Sequence, residues 1–448
     1  IELARRRQSC RRYDRRPVEP EKLEACIEAA RLSPSACNSQ PWGFTVVTRP
    51  VLLPEVAACV QQLGINAFTA DCPAFVVVTE EKATLMKRLD GVVDSQHFAS
   101  IDVGLAAAHL CLQAADLGLG TCIMGLFDEA RPYYESADYA AACIETTFNG
   151  PPYSGFPQFC APDQLADDLK SVGLDLLSTA SNHSLDTWFS GLTRTLDVLD
   201  GAGLDHVGTY RTQEERDTVK VIDVGGIRLA VLAYTYGTNG LPKDEHPYCV
   251  NVFTTDYMTN CGVIDYELLK SDLARARQTD ADAIAVFMHW GQEYATSPSA
   301  QQRELADFLF ENGATLVLGG HVHVPQPMEL RTLPDGRTGY LCYCLGNLIS
   351  NQFDPYTNLT AAVTLTLTRS GETGQVTVSG AEYAPMFMLH ASDSNEGRYR
   401  LLDIRKSMQD FEQGDTSVVN RSVYDRMKQG RSDLHRIFGT DEVLSLAA

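Results

Sequence analysis

Apolar residues recur at helical spacing along Glu21 to Leu32, and Ser33-Pro34 stops the pattern, so an amphipathic helix is predicted near the start of the chain. Short β-branched or aromatic runs at Phe44 to Val47 and Ala74 to Thr79 predict strands. The Ala/Leu-rich stretch Phe98 to Leu117, ended by Gly118, predicts a long helix. This first stretch reads as α+β. From Asp163 the pattern becomes an alternation: helix Gln164 to Val172, strand Leu174 to Ser178, helix Trp188 to Ala202, then strands Val219 to Val224 and Ile227 to Ala233 about Gly225-Gly226. It continues as helix Tyr266 to Gln278, strand Ala283 to Met288, helix Ala300 to Asn312, strand Thr315 to Leu318 and strand Tyr340 to Leu345. Such alternation predicts a layered α/β architecture. Ala361 to Thr368 and Gln375 to Ser379 predict a closing antiparallel pair around Gly371, and beyond about residue 393 the sequence is charged and helix-prone.

At 448 residues the chain is long enough for two or three cores. A formal net charge of -21 excludes non-specific binding to nucleic acid or anionic membranes, which requires basic surface. Small-molecule, metal-assisted, sugar or peptide chemistry remains. The charge is uneven: Arg5, Arg6, Arg7, Arg11, Arg12, Arg15 and Arg16 face only Glu2 and Asp14, which predicts a local anion site. The 13 cysteines are odd in number and mostly sit singly in apolar patterns, the usage of a reducing compartment. No run approaches the roughly 20 apolar residues that span a bilayer, and no signal-peptide pattern is present, so the expectation from this chain is cytoplasmic. The chain starts at Ile1 rather than Met, which leaves room for an upstream anchor.

Two groups of residues near the N-terminus suit a phosphorylated flavin. Arginines and a serine in Arg7-Gln8-Ser9-Cys10-Arg11-Arg12-Tyr13 suit a phosphate monoester, whose oxygens guanidinium forks bind bidentately. Amides and small residues in Pro34-Ser35-Ala36-Cys37-Asn38-Ser39-Gln40-Pro41-Trp42 suit a flavin ring, with its polar edge and close backbone approach. Together with Gly118-Leu119-Gly120-Thr121 after a long helix, these segments resemble the flavin-dependent nitroreductase family. The resemblance implies that Arg7, Ser9 and Arg11 hold the FMN phosphate, that Pro34, Ser35, Ala36, Asn38 and Gln40 line the ring from the partner subunit, and that Gly118 and Gly120 belong to the cofactor site. It further implies a homodimer passing a hydride from NAD(P)H through FMN. The family continues beyond its Gly-x-Gly segment with a further strand that this sequence lacks.

The later histidines are placed for metal chemistry. His289 and His321 each follow a predicted strand, and Asn182-His183 follows another. Loops at the carboxyl ends of parallel strands converge on one sheet edge, so side chains distant in sequence meet there. Imidazoles with an amide and a carboxylate oxygen form a mixed site for Mn, Zn or Fe, one or two ions, able to polarise a phosphoryl or acyl oxygen. Six motifs occur in order: Ile144-Glu145-Thr146, Tyr153-Ser154-Gly155-Phe156-Pro157, Ser178 to Asp186, His289-Trp290-Gly291-Gln292-Glu293-Tyr294, Gly319-Gly320-His321-Val322-His323 and Leu345-Gly346-Asn347. They resemble the CapA family of poly-γ-glutamate capsule biosynthesis proteins, built on the calcineurin-like metallophosphoesterase fold. The resemblance implies that Glu145, Asn182, His289 and His321 bind one metal, that His323 helps bind another, and that His183 donates a proton to a leaving group. Asp186 either orients His183 or caps the helix near Thr187. Trp290, Glu293 and Tyr294 either shape the pocket or pack. The family opens with a strand ending in Gly-Asp, whose carboxylate is a ligand. That strand is missing before Asp128, which implies one ion rather than two, or weak binding, and Cys143 stands where Asn is common.

The organisation expected is α/β overall. It comprises an incomplete nitroreductase-like FMN-binding segment at 1–127 and a CapA-like α/β/β/α metallophosphoesterase-type domain without its first strand at 128–392. A helical C-terminal extension follows at 393–448. Met124 to Asp128 offers no polar linker, an arrangement that fits equally a natural fusion and a gene deletion or assembly error that joined two reading frames. Three functions follow from the resemblances: a metal-dependent hydrolase acting on phosphoester or amide bonds of a small molecule or polyglutamate-like polymer, an FMN-dependent NAD(P)H nitroreductase, and a non-catalytic polymer- or partner-binding capsule assembly protein. CapA relatives are commonly membrane-anchored with the domain outside, whereas nitroreductase relatives are cytoplasmic.

Overall fold

The computed structural model describes residues 2–61, 66–80, 98–123, 137–243, 245–371, 373–393, 399–414, 416 and 418–446. The chain divides into two compact units, Ile1–Asp128 with Glu412–Asp415, and Glu129–Phe411 with Thr416–Ala448. The expected junction at 127–128 lies outside the described residues.

The first unit contains α1 (Glu2–Arg6), α2 (Pro20–Arg31), β1 (Trp42–Val47), α3 (Leu53–Cys59), β2 (Phe75–Glu80) and α4 (Phe98–Asp116). Proline opens α2, where its missing N–H would have no helical partner anyway. β1 and β2 pair antiparallel, and Ala30, Trp42 and Ala106 form a small core between α2, β1 and α4. Gly118, at φ +78°, turns the chain out of α4 as the Leu119 N–H donates back to the Ala114 carbonyl.

Among its described residues the second unit holds three sheets. β3 (Ala141–Cys143), β4 (Leu176–Ser178) and β5 (Asp205–Val207) form a parallel sheet in that order, with α5 (Gln164–Ser171) and α6 (Trp188–Ala202) between them in the chain. After α7 (Gln213–Asp217) come β6 (Lys220–Val224), β7 (Ile227–Thr235), α8 (Tyr266–Arg277), β8 (Ala283–Trp290), α9 (Ala300–Glu311), β9 (Leu316–His321), β10 (Met328–Thr332) and β11 (Thr338–Cys342). Their strands make a six-stranded sheet ordered β10-β11-β9-β8-β7-β6. β7, β8, β9 and β11 run parallel, and the edges β6 and β10 pair antiparallel. The third sheet is antiparallel, β12 (Leu359–Arg369), β13 (Val376–Leu389) and β14 (Arg400–Asp403), followed by α10 (Ile404–Glu412) and α11 (Arg421–Phe438).

The two-residue period of the central strands builds the layers. Leu229, Val231, Ala233, Ala283, Ala285 and Phe287 share one core with the β12–β13 sheet and with Val423, Met427, Leu434 and Phe438 of α11. Their alternates Ala230, Leu232, Tyr234, Ile284, Val286 and Met288 share another with Leu269 and Leu273 of α8 and Leu305 and Leu309 of α9. Because β8 is covered on both faces, it is buried along its whole length and reads as an unbroken apolar run from Ala283 to Met288. A reciprocal Ser299–Gln302 capping box starts α9, and the Asp265 carboxylate caps α8.

Several expectations shift. β8 runs on to Trp290 and β9 to His321, so His289 and His321 lie in the last residues of their strands rather than after them. β13 continues to Leu389 instead of stopping at Ser379, with a register shift at Thr366/Leu367. The helix-prone tail also contributes strand β14, and α11 is part of the unit's core. Among the described residues, no helix is long and apolar enough to cross a membrane.

Candidate functional site

Neighbouring parallel strands set the site. In the register of β8 and β9, His289 lies opposite Gly320 and Trp290 opposite His321, so both histidines leave the same carboxyl edge. Gly319 makes this approach sterically possible, since a Cβ there would lie 1.9 Å from the Tyr343 carbonyl oxygen. Past β4, Ser184 Oγ donates to Thr179 O and accepts from Ser181 N–H, which fixes the loop carrying Asn182 and His183. Past β3, the Ile144 N–H donates to Ser178 O and carries Glu145 to the same edge.

These side chains converge. His289 Nε2 lies 2.7 Å from Asn182 Oδ1 and 3.0 Å from Glu145 Oε1. Glu145, His289 and His321 each offer a ligand atom, all within 4.8 Å of one another. His321 packs 4.8 Å ring to ring from His289, and His323 is farther out, 6.1 Å from His321. His323 Nδ1 lies 3.1 Å from Asn347 Oδ1 and 3.9 Å from Glu145 Oε2. Glu293, half exposed, has Oε1 3.9 Å from His323 Nε2. Trp290 is a packing residue, fully buried with Nε1–H donating to Tyr343 O.

The electrostatics suit a cation. Burial, reinforced by the neighbouring histidines, holds His289 well below its ordinary pKa and His321 down at about 3, so both rings are neutral, the form that binds a metal. Burial raises the Glu145 carboxyl even though part of its side chain still faces solvent, and nearby His323 and His183 pull the other way. His289 Nδ1 and His321 Nδ1 are buried and have no hydrogen-bond partner among the described residues; an ion bound at Nδ1 would rationalise the second, whereas His289 faces the cluster through Nε2. His321 at φ +93°, His323 at φ +65° and Tyr294 at φ +64° occupy left-handed backbone, a strain of roughly 1–3 kcal/mol each that concentrates at functional sites. Cys143, at the position where Asn was expected, is solvent-exposed and stands outside the cluster.

His183 is held apart from the cluster by its own partner. Its Nδ1 lies 2.7 Å from Asp186 Oδ2, which also accepts from the Phe159 N–H, and the Phe159 ring meets the imidazole edge-on at 4.5 Å. Asp186 therefore orients His183, and the Thr187 side chain makes no capping bond at the start of α6. Sequence reading missed Asn239, whose Oδ1 accepts from Asn182 Nδ2 at 3.1 Å. The local signal there, an Asn-Gly pair, indicates a turn and carries no information about a site.

In the first unit, Ser9 bridges Thr121 in parallel register and the Cys10 N–H donates to Thr121 O, so the Arg7, Ser9, Arg11 arm lies beside Gly118 and Gly120. A Cβ on Gly120 would come within 2.5 Å of Cys10 Sγ. Pro34, Ser35, Ala36, Asn38 and Gln40 form a turn at the other end of α4: the Ala36 N–H donates to Asp102 Oδ2, and the Gln40 N–H donates to Ser35 Oγ. Asp102 and Gly118 are roughly 24 Å apart at 1.5 Å per helical residue, so within one chain the two groups do not meet.

The family of bacterial capsule synthesis proteins, PGA_cap, matches residues 112–352, and the nitroreductase family matches residues 4–153, so the two overlap at 112–153. The capsule biosynthesis protein CapA of Bacillus anthracis is 24% identical over 51% of this chain and 54% of its own. The PGA biosynthesis protein CapA of Bacillus subtilis (strain 168) is 28% identical over 57% of this chain and 64% of its own. The chain thus spans less than two thirds of the length of these capsule relatives. An oxygen-insensitive NADPH nitroreductase of Helicobacter acinonychis (strain Sheeba) is 43% identical over 29% of this chain and 75% of its own. On these matches the chain belongs to the PGA_cap family of bacterial capsule synthesis proteins and carries toward its N-terminus a segment of the nitroreductase family that partly overlaps that region.

Proposed function

We propose that the second unit is a metal-dependent hydrolase of poly-γ-glutamate capsule biosynthesis, with Glu145, Asn182, His289 and His321 holding a divalent ion of the Mn, Zn or Fe class. The observation that carries this reading is the meeting of three ligand types: His289 Nε2 within 2.7 Å of the Asn182 oxygen and 3.0 Å of a Glu145 oxygen. Ligands about 2.1 Å from one ion are separated by about 3 to 3.5 Å, and the 2.7 Å to 4.8 Å spacings of this cluster bracket that separation, so small side-chain adjustments would accommodate a cation. Held there, such an ion would supply Lewis-acid chemistry toward a phosphoryl or acyl oxygen and toward water. The chain's own residues supply the rest. Asp186 fixes His183 with Nδ1 inward, leaving Nε2 to hand a proton to the departing oxygen or nitrogen. His323 stands at the outer side with Asn347 and Glu293, and with no opening-strand carboxylate among the described residues the expected stoichiometry is one ion per chain. The substrate class is a phosphoester or an amide of a polyglutamate-like polymer, in keeping with the names of the capsule relatives.

The test is metal content and phosphodiesterase and γ-glutamyl amidase activity of the full chain, with His321→Ala and His183→Ala. Loss of metal and activity is expected in the first, and loss of activity at full metal content in the second. Activity untouched by both sinks the hydrolase reading; stoichiometric metal without turnover on either bond favours a non-catalytic, polymer-binding role.

A second reading rests on the first unit, where the Ser9–Thr121 bridge sets the basic arm beside Gly118 and Gly120. It binds FMN through Arg7, Ser9 and Arg11 and uses NAD(P)H. Because the Pro34–Gln40 turn lies at the far end of α4, a homodimer supplies it to the ring. Protein that purifies without a flavin band and takes up none when FMN is added overturns this reading.

A further inference from the structure

We infer that Asn239 is a positioning residue that sets which face of the Asn182 amide looks into the metal site. The inference rests on the metal reading above and adds a residue outside the proposed ligand set. An amide side chain ends in two atoms of similar size and opposite chemistry, and only the oxygen coordinates a cation. Rotated by half a turn about its last bond, Asn182 would present NH2 to His289 and Glu145, and coordination would fail. The neighbours decide the rotamer. Asn182 Oδ1 faces His289 Nε2 at 2.7 Å, and Asn182 Nδ2 donates to Asn239 Oδ1 at 3.1 Å. An acceptor at that point favours the NH2 end there and so turns the oxygen toward the cluster.

The turn chemistry of Asn239 explains how it reaches this position. The Leu241 N–H donates to Thr238 O, and Asn239 and Gly240 between them have φ of +50° and +74°, the type I′ turn that Asn-Gly favours. Thr238 is fully buried and anchors the turn, while Asn239 stands at the rim. Asn239 Nδ2 also approaches His183 Nδ1 at 3.5 Å. With the His183 proton directed at Asp186 Oδ2, 2.7 Å away, that approach sets two donors side by side and makes no bond. The carbonyl end of Asn239 is thus the one with a partner.

Two variants separate this role from a merely structural one. Asn239→Gly keeps the left-handed turn and removes the acceptor; Asn239→Asp keeps the acceptor and tolerates the same backbone. Cobalt(II) is titrated into the metal-free full chain, reading affinity calorimetrically and ligand geometry from the visible d–d bands. Asn239→Gly should bind cobalt about 10- to 100-fold more weakly with altered bands, the usual penalty for removing a partner behind a ligand. Asn239→Asp should bind at least as tightly as the parent, with bands like the parent's. Parent-like affinity and spectrum in Asn239→Gly overturns the inference while leaving the metal site standing, as does an equal loss in both variants. A parent chain that binds no cobalt overturns the metal reading and this inference together.

Discussion

At the scale of residues, the site is built from histidines kept uncharged by their surroundings, and this has a consequence for stability in acid. Burial depresses the folded-state pKa of His321 to about 3, while an imidazole in the unfolded chain titrates near 6.5. As pH falls below about 6.5 the unfolded state takes up a proton that the folded state refuses, and the balance shifts toward unfolding until pH nears 3. Above about 6.5 both states are neutral and this group adds no pH dependence. The metal-free second unit should therefore lose up to about 1.4 kcal/mol per pH unit on acidification through this residue alone. Urea midpoints of chelator-treated protein at pH 7, 6 and 5 would show the slope, and His321→Gln should flatten it. A slope equal in parent and variant would place the acid sensitivity elsewhere, His289 being the first alternative because its ring is buried as well.

At the scale of elements, strand β9 is held to its neighbours by a contact that tolerates no side chain. Gly319 sits where a Cβ would lie 1.9 Å from Tyr343 O and 2.5 Å from Trp290 Nε1, the two atoms that bond to each other at 3.0 Å. Gly319→Ala must push β9 away from that contact, at a cost of about 3 kcal/mol or more, and should displace His321 with it. Gly371→Ala, at a turn with nothing within 4 Å of the added carbon, should be near neutral in the same thermal unfolding experiment. The long elements around this contact were legible because their periodicity is strong: α4, α8, α9 and the doubly covered β8 were all predicted within a few residues of their ends. β3 and β5 were not, since three residues such as Asp205-His206-Val207 carry too little alternation to register as a strand. The sequence also pointed to Glu145, Asn182, His289, His321 and His323 one by one through their motifs. Asn239 escaped because its role depends on a fold that returns a turn to a residue 57 positions earlier, and no local pattern encodes that return.

At the scale of the whole molecule, each compact unit has its own apolar interior: Ala30, Trp42 and Ala106 in the first, and the two cores on the faces of the six-stranded sheet in the second. Independent cores of such different size should melt as separate transitions, the smaller first, since the fraction of apolar surface removed from water rises with size. Ligands then label the transitions. Anything that binds only the folded form stabilises it by RT ln(1 + [L]/Kd), about 2.7 kcal/mol at a hundredfold excess over Kd. Calorimetry of the full chain should show the larger transition fall when metal is stripped by a chelator and recover when cobalt(II) or manganese(II) is restored, with the smaller one unmoved. Adding FMN should raise the smaller transition alone, and Arg11→Ala should abolish that rise without touching the metal response. A single transition displaced by both ligands would mean that the two units unfold as one cooperative body, and the chain would then have to be treated as one thermodynamic unit despite its two family matches.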